Sequence, residues 1–372
     1  MLLNKFNPVP TESFANQDQR FARAFGILEE GIANRAFPGA SVAITYRGDL
    51  IAHKALGRFT YGKDSSKVTT ETIYDLASVT KVVATTAAAM LLHEQGSLDL
   101  ESRVVSYFPN FGGDDQRRQE INIRMLLAHS SGLPAYVKLF EKAKSRDELV
   151  ELALTTPLAA DPMSRAEYSD IGFIILGEIL SRTAQESLDS FCANEIFDPL
   201  RMAHTGFCPV DSLHSKIPPT LNNNDFRKKV IQGEVQDENA WVMEGVSGHA
   251  GVFATAYDVA LFALCMLRLG SPVFHPPTVA KFTQREPAPE GNSRALGFDT
   301  PSAPSQSGQY FSSRSFGHLG YTGTSLWCDP VRQLSVTLLT NRVWPDNSSQ
   351  AIKEIRPRFH DAVIEAIEGP VT

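Results

Sequence analysis

Cysteine is scarce and scattered in this chain: Cys192, Cys208, Cys265 and Cys328 stand far apart, with no Cys-x-x-Cys pair and no histidine-rich neighbour. That pattern disfavours a zinc site and a disulfide framework, and buried free thiols are expected. Long apolar runs are missing too. The strongest, Val82 to Leu92, is too short to span a bilayer and contains Thr85 and Thr86. Met1 to Phe14 holds no continuous apolar segment of the signal-peptide kind. A cytoplasmic location is therefore expected, although a trimmed, exported form would read the same. Basic runs are limited to the pairs Arg117-Arg118 and Lys228-Lys229, and with a net charge of -7 and a pI near 5.8 a nucleic-acid surface is disfavoured.

Several catalytic signatures are also absent. There is no Gly-x-Ser-x-Gly elbow, which argues against a classical α/β-hydrolase. His93-Glu94 is not followed by a second ligand at Ser97, as a metalloprotease helix would require. The glycine-rich turn Gly245 to Gly251 lacks a Walker Lys-Ser/Thr and follows no strand with Rossmann spacing, so nucleotide binding is disfavoured. No metal, no cofactor and no internal repeat are read from the sequence.

What remains is an ordinary globular composition, 42% hydrophobic and 21% charged over 372 residues, enough to bury a large core. The chain is organised around Tyr74-Asp75-Leu76-Ala77-Ser78-Val79-Thr80-Lys81 and the apolar segment after it. Leu76 to Gln95 contains neither glycine nor proline, which predicts a buried helix stopped by Gly96. Ser78 and Lys81 then fall three residues apart on one face near the helix start. A hydroxyl beside an amine that burial can deprotonate is the minimum equipment for an activated serine. Free N–H groups at a helix start suit a developing oxyanion. Ser-x-x-Lys occurs once here; taken alone, a capped first turn with a snorkelling lysine would explain it equally well.

Taken in order, Asp18 to Arg35 repeats Phe21, Phe25, Leu28 and Ile32 at helical spacing, with Asp18 as N-cap. Ala40 to Tyr46 and Leu50 to Gly57 flank a glycine turn and predict a hairpin. The middle reads as helical: Ile123 to His129, Asp147 to Leu154, Ile171 to Leu180 (with Gly172 and Gly177 permitting close packing), Phe191 to Leu200 and Tyr257 to Leu269. Asn222 to Lys229 and Gln284 to Ser315 read as loops, the latter a solvated segment or a rim beside a site, with only Ala295 to Phe298 ordered. Tyr321 to Trp327 and Leu334 to Leu339 predict a second hairpin, and Gln350 to Ile367 a last helix. The expected fold is α+β: an antiparallel β-sheet flanked by N- and C-terminal helices, plus a mainly helical second lobe. The expected division is a lead-in over 1–17, a sheet domain from 18–75 and 246–372, and a helical lobe over 76–245, with the site at their interface.

Three motifs in order carry a resemblance: Ser78-Val79-Thr80-Lys81, Tyr168-Ser169-Asp170 and His318-Leu319-Gly320, the last expected to open a late strand. The chain resembles the serine β-lactamase and penicillin-binding-protein superfamily, whose motifs are Ser-x-x-Lys, Tyr-x-Asn and Lys-Thr-Gly. It is most similar to the branch of class C β-lactamases, D-amino-acid-specific peptidases and family VIII carboxylesterases. Leu126 to Pro134, Gly248 to Phe253 and Tyr321 to Trp327 resemble that branch too, so the likeness covers roughly 18–365. It implies Ser78 as nucleophile, Lys81 and Tyr168 as the groups that take and return its proton, and the amides of Ser78 and Tyr321 as oxyanion hole. It further implies Asp170, His318 and Gly320 as substrate-binding positions. His129, His249 and Trp327 lie near the motifs and are read first as structural.

Two departures bear on substrate. Asp170 stands where the pattern has Asn, and an ionised carboxylate cannot donate to a substrate carbonyl. It would also raise the Lys81 pKa and so favour Tyr168 as base. His318 replaces Lys and, with an ordinary pKa near ~6.5, is mostly neutral at pH 7. The expected function is therefore a carboxylesterase-like serine hydrolase acting on small esters. The alternatives are a β-lactamase or D-amino-acid peptidase on lactams or amides, and a non-catalytic penicillin-recognising protein.

Overall fold

Strand-forming sequence is concentrated at the two ends of the chain, and the ends meet in one sheet. The computed structural model describes residues 14–222 and 225–369; most of the expected lead-in, residues 1–13, lies outside them. Strands β1 (Gly39–Tyr46) and β2 (Asp49–Gly57) form the expected hairpin. Two short strands, β3 (Tyr74–Asp75) and β4 (Gly206–Phe207), flank β5 (Val252–Ala254) in a separate small sheet. Strands β6 (Phe316–Leu319), β7 (Ser325–Asp329) and β8 (Leu334–Thr340) complete the main sheet, in the order β2-β1-β8-β7-β6, antiparallel throughout.

Five helices organise the rest: α1 (Ala22–Ala33), α2 (Ala87–Glu94), α3 (Asp170–Ala184), α4 (Ala256–Leu267) and α5 (Ile352–Glu368). Helices α1 and α5 pack together over one face of the sheet, where Phe21, Phe25, Leu28, Phe37 and Phe359 are buried against Val42, Ile44, Val336 and Leu338. Each such side chain withdrawn from water is worth about 1.5–3 kcal/mol. Helix α4 covers the opposite face, and one apolar cluster runs from there through α2 and α3. The α+β fold with an antiparallel sheet is as expected.

Local differences have local causes. Asp18 is not the N-cap of the first helix; its carboxylate pairs with Lys54 at 2.7 Å, and a short turn Gln17–Arg20 precedes α1. The single helix expected from Leu76 to Gln95 is instead a 3-10 turn (Ala77–Val79), a wide π-type turn (Lys81–Thr86) and then α2. Turns of this kind recur at functional sites. Side chains tie it down: Thr85 donates to the Gly248 carbonyl at 2.6 Å, and Thr80 accepts the Val252 N–H at 3.1 Å. Gly96, at φ +72°, ends α2 as expected. Gly177 does permit close packing, its Cα lying against Gly248, whereas a Cβ at Gly172 would meet only ordinary contacts.

His318 does not open a strand. It is the third residue of β6, and the strand expected from Tyr321 begins only at Ser325. The intervening residues form a tight turn because Thr322 and Thr324 donate to the carbonyls of Asp75 and Leu76, at 2.8 and 2.9 Å. Three of the four free cysteines are buried as expected, but Cys208 is exposed beside β4. Trp327 is buried under α5 against Phe311, a packing residue on the face of the sheet that carries α1 and α5.

Candidate active site

Every residue from Thr72 to Lys81 is buried except Ser78. Strand β3 delivers the segment, and Leu76 donates to the Val252 carbonyl of β5 at 2.9 Å. Ala77 then adopts φ +47°, a left-handed conformation that turns the chain into the 3-10 turn and leaves Ser78 partly exposed. The expected i, i+3 relationship holds: Lys81 Nζ lies 3.0 Å from Ser78 Oγ.

Lys81 is completely buried and has three partners. Besides Ser78 they are the Asp170 carboxylate at 2.6 Å and the His249 carbonyl at 3.0 Å. Burial pulls the Lys81 pKa below its ordinary value, while the Asp170 charge and hydrogen bond oppose the fall. Carboxylate and carbonyl can only accept, so they consume two N–H groups. The third position faces Ser78, where an ammonium would donate and a neutral amine would present its lone pair.

Tyr168 precedes α3. Ser169 caps that helix, accepting the Gly172 N–H at 3.1 Å and donating to the Pro134 carbonyl at 2.8 Å. His129 fixes the same corner by accepting the Ser169 N–H on Nδ1 at 3.0 Å, with its ring 4.8 Å from that of Tyr168. The Tyr168 hydroxyl thereby reaches Ser78 Oγ at 2.6 Å. Burial raises the Tyr168 pKa well above 10, with Asp170 adding to the rise. This direction runs against the expectation that favours Tyr168 as base: desolvation outweighs the lowering by the Ser78 hydrogen bond and the Arg294 charge, and the phenol favours its protonated form.

The third motif closes the site from β6. His318 is buried, 6.0 Å ring to ring from Tyr168, and burial with the charges of Lys81 and Arg294 pushes its pKa well below 6.5. Its Nδ1 lies 2.8 Å from the Leu319 carbonyl, an acceptor, so the ring is neutral with its proton on Nδ1. Gly320 sits where a Cβ would meet the Leu76 carbonyl at 2.5 Å and the Thr324 hydroxyl, which brings Tyr321 beside the serine segment. The Tyr321 carbonyl accepts from Arg342 Nε at 2.7 Å. The structure therefore gathers Ser78, Lys81, Tyr168, Asp170 and His318 into one cluster, with the Gly320–Tyr321 turn packed against the serine segment.

Sequence reading missed three contributors. Arg294, from the segment expected to be loop, places its guanidinium 5.6 Å over the Tyr168 ring; its nearest acid, Asp299, is 3.6 Å away. No spacing signal marks it. Asp237 binds His249 at 2.7 Å, and so supports the carbonyl that holds Lys81. Asp75 accepts the Ala77 N–H at 2.8 Å. Its place three residues before Ser78 was the only available hint.

A family model described as Beta-lactamase matches residues 25–356, most of the chain. The chain belongs to the β-lactamase family. This β-lactamase-family chain is 33% identical to the N-acetylmuramyl-L-alanine amidase of Bacillus subtilis (strain 168), over 85% of its own length and 79% of that protein. It is 32% identical to a protein of Salmonella agona (strain SL483) provisionally named D-alanyl-D-alanine carboxypeptidase, over 90% and 86% of the two chains. Its fold matches EstCE1, a hydrolase with promiscuous acyltransferase activity, at a TM-score of 0.77 and 24% identity over 94% of this chain and all of that one. An octameric penicillin-binding protein homologue from Pyrococcus abyssi matches at 0.70 and 20% identity, over 90% and 76%. The β-lactamase-family assignment makes this chain a hydrolase of the serine β-lactamase and penicillin-binding-protein type. Among the described residues no helix is long and apolar enough to cross a membrane.

Proposed function

We propose that this protein is an acyl-enzyme serine hydrolase that cleaves small carboxylic esters. The observation that carries the reading is Ser78 Oγ held between Lys81 Nζ at 3.0 Å and the Tyr168 hydroxyl at 2.6 Å. Neutral Lys81 takes the Ser78 proton as Oγ bonds to the substrate carbonyl carbon. The resulting oxyanion is received by the amides of Ser78 and Tyr321. Collapse breaks the bond to the leaving alcohol, which receives the Tyr168 proton, and the Lys81 ammonium reprotonates Tyr168. Water then repeats the sequence on the acyl-enzyme and releases the acid. The ester preference rests on Asp170 and His318. The first is committed to Lys81 and offers no donor to a substrate amide, and the second is neutral and buried. Turnover of p-nitrophenyl butyrate by wild type and Ser78→Ala tests this. A drop of several orders of magnitude supports it, and equal rates refute it.

Arg294 favours a second reading. Its guanidinium supplies, from another segment, a positive charge beside the site where His318 supplies none. A substrate with a terminal carboxylate, such as a D-amino-acid peptide, would find its partner there. The named relatives, an amidase and a provisionally named carboxypeptidase, fit that class. A kcat/KM for a D-Ala-D-Ala peptide well above that for simple esters would move the assignment to this reading.

A further inference from the structure

The Asp75 carboxylate does more than fill a buried corner. Its Oδ1 accepts the Ala77 N–H at 2.8 Å, and its Oδ2 accepts the Gln236 N–H at 2.7 Å. Ala77 is the left-handed residue immediately before Ser78, and a residue with a Cβ holds that conformation only when something outside it compensates. Gln236 adjoins Asp237, whose carboxylate binds His249, whose carbonyl in turn holds Lys81. The Asp75 carbonyl also accepts from Thr322, in the turn that presents Tyr321. One residue therefore joins the serine segment, the lysine support and the oxyanion turn.

We infer that Asp75 is a positioning residue for the reaction: its ionised carboxylate fixes the backbone of Ala77, and through it the approach of Ser78 to the substrate carbonyl. The inference rests on the reading of Ser78 as nucleophile. An ionised carboxylate serves both amides at once, whereas a protonated acid or an Asn presents a hydrogen to one of them. The surroundings make that loss reachable. Burial lifts the Asp75 pKa to about 6; the charge of Asp237 adds to the rise, while Arg227 and the two backbone amides oppose it. The carboxylate form is lost as pH falls through about 6, so reactivity falls with it.

The experiment is the rate of Ser78 phosphonylation by a fluorophosphonate probe over pH 5–8, read by intact mass on the full chain. The variants are Asp75→Asn, Ala77→Gly and the double variant. Asp75→Asn is expected to react about 10–100-fold more slowly at pH 8, a misplacement effect, and to lose the inflection near pH 6. Ala77→Gly removes the left-handed penalty, since glycine adopts positive φ freely. The double variant is therefore expected to react faster than Asp75→Asn; where Asp75→Asn does not fold, the double variant is compared with Ala77→Gly and is expected to lack the inflection near pH 6 that Ala77→Gly keeps. A wild-type rate and an unchanged inflection in Asp75→Asn overturn the inference alone. So does a double variant that reacts no faster than Asp75→Asn, because the effect would then not pass through Ala77. No labelling of wild type, or labelling that survives Ser78→Ala, overturns the nucleophile reading and this inference with it.

Discussion

The carboxylate of Asp170 lies 2.6 Å from Lys81 Nζ, across a contact in which the lysine is wholly buried and the acid is 15% exposed. Burial and this one charge pull the Lys81 pKa in opposite directions. Asp170→Asn removes the contribution that raises it, so the Lys81 pKa should fall further. The rate limb that requires a neutral amine should then move to lower pH, read from kcat against pH. A shift to higher pH, or none, would show that Lys81 does not act as the base. Asp170→Ala should be worse for the fold, because a charge left alone in a buried site costs about 3–5 kcal/mol unless it sheds its proton.

Tyr168 is held protonated by burial and touches Ser78 Oγ directly. Tyr168→Phe should keep the fold and lower kcat on alkyl esters by about 10²–10⁴-fold, the usual range for a lost general acid. On p-nitrophenyl esters the loss should be much smaller, because a phenolate departs without a proton. Comparing the two leaving groups at one acyl chain checks the role. Equal losses on both would place Tyr168 in orientation alone.

Gly320 approaches the serine segment too closely for any side chain. In Gly320→Ala the Cβ must push β6 away from Leu76, costing about 1–3 kcal/mol in thermal unfolding. It should also lower kcat more than it raises KM if the Tyr321 amide acts on the transition state as proposed. Unchanged kinetics with lowered stability would remove Tyr321 from the oxyanion hole.

Arg294 provides a way to separate the two substrate classes. Arg294→Met should raise KM for a carboxylate-bearing D-amino-acid peptide by about 10–100-fold, as expected for a lost charge-assisted hydrogen bond of about 1.5–3 kcal/mol. For a neutral ester the change should stay within about three-fold. The same change in KM for both substrates would show that Arg294 acts through Tyr168 rather than on substrate.

The hairpins, the terminal helices and the Ser78–Lys81 pair were legible because each depends on short-range pattern, and the grouping of the three motifs came from the family resemblance. Phe21, Phe25 and Leu28 repeat at helical spacing, and Ser78 and Lys81 need only three residues of helix to meet. What the pattern could not carry was the balance of burial against charge. Tyr168 looked like a base beside a cation, yet its own desolvation decides its proton. Arg294 enters from a Pro- and Ser-rich stretch whose path is set by the Asp299–Gly317 pairing onto β6, a contact no local signal announces. The turn from Tyr321 to Thr324 read as strand because Tyr and Thr favour extended structure. Two threonine hydroxyls bonding across to Asp75 and Leu76 decide otherwise.

Covalent chemistry at Ser78 is open to a test that catches the intermediate. Wild-type protein mixed with a slowly deacylating activated ester, quenched in acid and weighed intact, should gain the mass of one acyl group. Peptide mapping should place it on Ser78, and Ser78→Ala should gain nothing. An adduct elsewhere, or turnover with no adduct and an active Ser78→Ala, would contradict the account.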